Sequence, residues 1–142
     1  MPFFFTVAGN KMFCEYGNPL VDIVKTFVAY IVFRVWSFTV HIIMHKVPSL
    51  VKFHKQHHLP MSEMTCVSTF TDSMAEFLLM ELFAEIAGIC AVGGLPLFYV
   101  ILLGVYNVVN GALDHSGFCM DEVWFNSIYH YVHHAEPTVN FA

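Results

Sequence analysis

Charge is scarce in this chain. Of its 142 residues, 12% are Asp, Glu, Lys or Arg, about half the share of roughly 25% found in soluble domains. Basic residues are the rarer sign, with six Lys and Arg against eleven Asp and Glu. A net charge of −5 with no basic stripe excludes a nucleic-acid partner. Cys14, Cys66, Cys90 and Cys119 are scattered and share no CxxC spacing. They read as small apolar fillers and not as a disulfide framework. The amino terminus has no basic region ahead of its apolar run, so it is a poor secretory signal. The chain has no low-complexity tract. GxSxG, P-loop and GxGxxG motifs are missing. The HExxH pattern fails too, because Ile42, Lys55 and Tyr131 stand where it requires Glu.

Apolar residues and histidine take the place of charge. Hydrophobic residues make up 57% of the chain, Phe alone occurs 15 times, and mean hydropathy is +0.62. A chain of this length forms one domain at most, and this composition is that of a membrane protein. The nine histidines fall into one arrangement. His41 and His45 form HxxxH; His54, His57 and His58 form HxxHH; His130, His133 and His134 repeat it; His115 stands alone before the last box. On a helix, positions i, i+3 and i+4 share a face, so each box reads as a set of imidazoles pointing one way. Neutral imidazole is the commonest metal ligand, and three such sets exceed what one tetrahedral ion needs. Two metals are expected. All-nitrogen ligation suits iron, copper or zinc, and iron with open positions suits dioxygen.

Along the chain, residues 1–19 read as an irregular lead-in closing at Gly17-Asn18-Pro19. Leu20–Met44 is apolar and helix-compatible, and Thr26–Met44, interrupted by Arg34 and His41, matches the roughly 20 residues that cross a bilayer. Arg34 is expected to snorkel, to face a partner helix or to sit at an interface. Residues 45–75 are more polar and hold Lys46, Lys52 and Lys55, half of all Lys and Arg. The positive-inside rule makes that loop cytoplasmic. Pro48 and Pro60 bracket an expected helix, Ser49–His58, carrying the second box. The apolar block 74–113 is punctuated by Gly93-Gly94-Leu95-Pro96, which predicts helices over 74–92 and 96–113. If the block crossed once, the third box would lie opposite the first two; entering and returning puts all nine histidines on one face. Glu81 and Glu85 are expected to face the protein interior or the water boundary. Asp121-Glu122 and Glu136-Pro137 flank a short helix with the last box. Asp114 and Glu136 neighbour the histidines, either as partners fixing their tautomers or as ordinary caps and solvated charges. The fold class expected is all-α: an integral membrane protein with about three apolar helices, one entering helix plus a helical hairpin, and a cytoplasmic-face histidine-rich di-metal site. His115 emerges with the returning helix and completes a metal-ligand set of His41, His45, His54, His57, His58, His115, His130, His133 and His134.

Three segments carry a family resemblance: His41-Ile-Ile-Met-His45-Lys-Val-Pro-Ser-Leu-Val-Lys-Phe-His54-Lys-Gln-His57-His58; Asp114-His115-Ser-Gly-Phe118; and His130-Tyr-Val-His133-His134 with Asn140-Phe141-Ala142. From about residue 30 to 142 the chain resembles the fatty acid hydroxylase/sterol desaturase superfamily, and the Lys-Val-Pro link is similar to sterol-oxidising members. The resemblance implies a fatty acid hydroxylase-like domain over 20–142. It implies two iron ions, with zinc as a substitute, and dioxygen as co-substrate. It further implies hydroxylation or desaturation of a membrane lipid or sterol, with electrons from an external donor, a b-type cytochrome and a flavin reductase. In a eukaryote the expected home is the endoplasmic reticulum, with the site facing the cytoplasm. Family members are usually longer, with a further transmembrane hairpin before the first box. The alternative expectation is therefore a truncated, non-catalytic relative that binds metal or associates with a full-length partner. A metal carrier or zinc-dependent membrane protein is a third reading.

Overall fold

The computed structural model describes residues 6–7, 10–58, 64–118 and 127–141. Pro60, Cys119 and the Asp121-Glu122 pair of the sequence reading lie outside these residues. Apart from one strand pair, β1 (Thr6–Val7) with β2 (Asn10–Lys11), the described chain is helical. The elements are α1 (Pro19–Lys46), α2 (Pro48–His54), a 3₁₀ turn (Cys66–Phe70), α3 (Met74–Glu76), a π-helical segment (Phe77–Leu82), α4 (Phe83–Ala91), α5 (Leu97–His115) and α6 (Ser127–Ala135).

Local chemistry sets the limits of α1. The Asn18 side chain accepts from the Leu20 amide at 2.9 Å and Pro19 occupies the first turn, where its missing N–H costs nothing. At the other end Val47 is extended, φ −97° and ψ 111°, as a residue before proline should be. Pro48 then starts α2. The predicted helix Ser49–His58 ends earlier than expected, at His54, and residues 55–57 form a turn. Box two therefore straddles a helix end.

The expected enter-and-return path is present. Run 74–91 begins beside the histidines, with Glu76 on His54. It ends at a turn where Gly93 and Gly94 have φ of +74° and +98°, values that favour glycine. The Gly94 amide bonds back to the Ile89 carbonyl at 3.0 Å, closing the helix end. The lead-in fastens to this turn: Leu95 N–H donates to the Met12 carbonyl and Cys14 N–H to the Leu95 carbonyl, both at 3.1 Å. α5 then returns to the histidine end.

Packing holds the two long arms together. A Cβ on Gly88 would lie 2.5 Å from the Ala29 carbonyl oxygen, so α1 and α4 touch backbone to backbone, the small-residue contact common between membrane helices. Ala29, Ile89 and Leu95 form the buried apolar cluster beside it. The π segment widens the helix from i−4 to i−5 bonding, as in Phe83 N–H to the Leu78 carbonyl. Residues five apart then come nearly into line, and Glu76 and Glu81 share one cavity wall. Trp36 Nε1 and Ser37 Oγ of α1 donate to the Leu79 and Met80 carbonyls of this segment at 2.8 and 2.6 Å.

Two helices, α1 and α5, are long and apolar enough to cross a membrane, with mean hydropathies of 1.7 and 1.5. Only 6% of the apolar stretch of α5 is buried, so it is not the core helix of a soluble domain. Its exposed Leu97, Phe98, Ile101, Leu102, Val105 and Val108 form an outward apolar surface suited to lipid.

Candidate metal centre

All nine histidines converge at one end of the bundle, in two groups. His41, His45, His54, His58 and His133 form one; His57, His115, His130 and His134 form the other; within each, one ligand atom per residue lies within 4.8 Å of the rest. The elements divide their histidines unevenly. α1 gives His41 and His45 to the five-histidine cluster, and α5 gives His115 to the four-histidine cluster. Each HxxHH box splits, so neither points one way as expected. Box two sends His54 and His58 to the larger cluster and His57 to the smaller; box three sends His133 to the larger and His130 with His134 to the smaller. The i, i+4 pair stays together each time and the i+3 residue crosses over.

The contacts are between Nε2 atoms. In the larger cluster the distances are 3.2 Å for His41–His45, 3.0 Å for His41–His54, 3.0 Å for His45–His133 and 2.9 Å for His54–His58. In the smaller cluster they close a ring: His57–His115 3.2 Å, His115–His130 3.1 Å, His130–His134 3.0 Å and His134–His57 3.2 Å.

The Nδ1 atoms explain why these contacts demand a cation. His41 Nδ1 donates to the Phe141 carbonyl at 2.9 Å, His115 Nδ1 to the Gly111 carbonyl at 2.8 Å and His133 Nδ1 to the Val139 carbonyl at 2.7 Å. A carbonyl only accepts, so the proton of each neutral ring sits on Nδ1 and Nε2 carries a lone pair. His57 Nδ1 lies 2.6 Å from Asp72 Oδ1, a carboxylate partner that favours the same tautomer. His57 and His115 thus aim lone pairs at each other. His54 Nδ1 lies 2.5 Å from Glu76 Oε1, whose carboxyl is pushed up to about 9 by burial, so an ion at Nε2 would make Nδ1 the donor of that pair. Protonation is no remedy: burial and the neighbouring imidazoles lower the basicity of His54, His58, His130 and His134, with His58 and His134 pushed down to about 2. His133 is lowered by burial as well. Lowered basicity favours the neutral form of these five rings, the state a metal requires.

Spacing tests the fit further. Two nitrogens each about 2.1 Å from one ion lie about 3.0 Å apart at a right angle and about 3.4 Å apart at a tetrahedral angle. The observed 2.9–3.2 Å separations match right-angle neighbours. Five donors also exceed a tetrahedral shell. The donor set therefore fits ions of five or six coordination, with positions left over in the four-histidine cluster.

Several residues at the site were not singled out in the sequence. Asp72 and Glu76 lie one turn apart, and each orients a histidine of a different cluster. Their signal was present but weak: two acids four residues apart, just before an apolar run. Phe141 was noticed only as part of the family resemblance; its ring lies 5.2 Å from His45 and 5.3 Å from His133. Asn140 has φ of +53°, a left-handed value that Asn tolerates. That bend lets the carbonyls on either side of it, Val139 and Phe141, reach two different rings. Of the two acids that were singled out, Asp114 accepts from Asn110 Nδ2 at 2.8 Å and bonds no histidine. Glu136 is exposed. Glu81 and Glu85 are partly buried, and Glu81 faces the cavity beneath the histidines, as does Arg34.

A helical membrane-associated fold with a histidine-rich metal site is the class that these features define. The family model for fatty acid hydroxylase matches residues 26–142, and the chain belongs to that family. No curated protein and no solved structure matches the chain.

Proposed function

We propose that this chain is an oxygen-dependent membrane lipid hydroxylase or desaturase whose nine histidines hold two iron ions. The observation that carries the reading is the pair of lone-pair-lined clusters, with Nε2 atoms 2.9–3.2 Å apart and their tautomers set from behind. Iron at such a site supplies dioxygen activation and removal of hydrogen from an unreactive C–H bond. The chain's own part is orientation and exclusion. Asp72 and Glu76 hold His57 and His54, the Phe141 ring covers the five-histidine cluster, and burial favours the neutral form of the rings. The cavity of about 390 Å³ bordered by His41, His54, His57, His115 and His130 receives the reacting part of a lipid or sterol.

Electrons come from outside in this reading, through a b-type cytochrome and a flavin reductase. Lys46, Lys52 and Lys55 in the segment that carries the second box support a cytoplasmic-side site by the positive-inside rule, at the endoplasmic reticulum in a eukaryotic cell in this reading. The test is twofold. Protein purified anaerobically in detergent should hold about two iron ions per chain. Its expression in yeast membranes should change the sterol or fatty acid profile, while His57→Ala leaves the profile unchanged. Folded protein with metal content near zero sinks the proposal.

A further inference from the structure

The cavity below the histidines carries a set of polar side chains on mostly apolar walls. On α5 it is lined by Asn107, Asn110 and Asp114, spaced three and four apart, so they form one stripe that ends at His115. On α1 it is lined by Arg34, seven residues before His41, or about 10 Å along the helix at roughly 1.5 Å per residue. Glu81 of the π segment closes a third side. Arg34 attracts Glu81 and Asp114 across the space, but Arg34, Glu81 and Asn107 make no hydrogen bond or close ion pair among the described residues. Arg34 is exposed and the other four are half-buried, but ionisable and amide groups on apolar helices suited to lipid need a partner or a function. The mouth faces lipid: Val35 and Phe38 line the same cavity and are 60% and 43% exposed.

We propose that this cavity is a head-group subsite, and that it selects a neutral lipid bearing a hydroxyl or amide group close to the carbon presented to the histidines. The inference rests on the lipid-oxidising reading and deepens it. A bare hydrocarbon end would dehydrate Arg34, Glu81 and the asparagines without replacing their water. A lipid carboxylate would meet one guanidinium, Arg34, but four acidic side chains, Glu81, Asp114, Asp72 and Glu76, on the same walls. A hydroxyl or amide both donates and accepts, and matches a wall holding Asn amides, a guanidinium and carboxylates. Sites built to bond a substrate hydroxyl discriminate strongly against analogues lacking it.

The test needs no turnover. Detergent-purified full-length protein, in metal-loaded and chelated forms, is incubated with an equimolar mixture of octadecanol, octadecane and octadecanoate. Lipid retained after gel filtration is quantified by mass spectrometry. Octadecanol should be retained at least about tenfold over each of the others. In the Asn107→Leu/Asn110→Leu variant that preference should fall to about threefold or less, while metal content stays at the wild-type level. Equal retention of octadecane, or preferential retention of octadecanoate, overturns the proposal and leaves a water-filled vestibule. Should the double variant not fold, wild-type selectivity and the single Asn107→Ser variant decide. Protein that keeps the alcohol preference but takes up no iron on reconstitution refutes the catalytic reading alone; iron-loaded, active protein without the preference refutes this one alone.

Discussion

The two histidine clusters are built from the same boxes yet differ in what they leave open. The five-histidine cluster is covered by the Phe141 ring and tied to the carboxyl-terminal carbonyls of Val139 and Phe141. The four-histidine cluster has one donor fewer, and three of its four members, His57, His115 and His130, line the cavity, against two of five, His41 and His54, in the larger cluster. By donor number and by the Phe141 ring the larger cluster is the more closed of the two and the smaller the more open, though both border the cavity. In the proposed di-metal reading the larger cluster would hold its ion the more firmly, and the smaller would leave its ion more positions to spare.

The largest effect expected comes from deleting one donor in each cluster. Alanine at His57 takes the open cluster from four donors to three and frees the Asp72 carboxylate. Alanine at His45 takes the closed cluster from five to four. Both variants should lose detectable turnover, but His57→Ala should retain about one metal per chain and His45→Ala close to two. Metal analysis of the folded variants decides, and equal losses would show that the difference in donor number carries no function.

The carboxylates behind the rings sharpen the same contrast. Glu76→Gln acts through His54 on the closed cluster and Asp72→Asn through His57 on the open one. Losses of roughly 10–100-fold in metal affinity or rate are typical for such partners. Glu76→Gln should weaken metal affinity more than Asp72→Asn does, because the Glu76–His54 pair is the more buried. The competition constant against a chelator measures this; identical constants would mean that the two acids serve both ions alike.

Away from the metals, Gly88→Leu should destabilise the fold by about 1–3 kcal/mol. The reason is that even a Cβ there would meet the Ala29 backbone at 2.5 Å. Thermal unfolding in detergent should show the loss, and a wild-type midpoint would mean that α1 and α4 can part at no cost.

Much of this fold was legible in the sequence because strong local signals agreed. Asn18-Pro19 started α1, Gly93-Gly94 closed the outbound run, and the requirement for one shared histidine face forced the return. The partition of donors was not legible, because helical spacing says which residues share a face and nothing about which ion that face meets. Box two runs past the end of α2 into a turn, yet divides its histidines as box three does on the continuous α6. The π segment was hidden as well. Phe77–Leu82 has no composition that sets it apart from an ordinary helix, yet its wider turn aligns Glu81 with Glu76. Asp72 and Glu76 were overlooked because proximity in sequence was the only guide to partners, and it pointed to Asp114 and Glu136.

That misdirection supplies the smallest effect expected. Glu136 stands two residues after His134 in sequence, whereas Glu76 stands 22 residues from the His54 that it touches. Glu136 is exposed, where its charge is screened by solvent, and surface substitutions of this kind usually fall within about 0.5 kcal/mol. Glu136→Gln should therefore leave metal content, rate and unfolding midpoint at wild-type values, beside a Glu76→Gln variant impaired in metal affinity. A matching loss in the two variants would mean that the carboxyl-terminal segment folds over the clusters more closely than its exposure indicates, and that Glu136 supports a histidine after all.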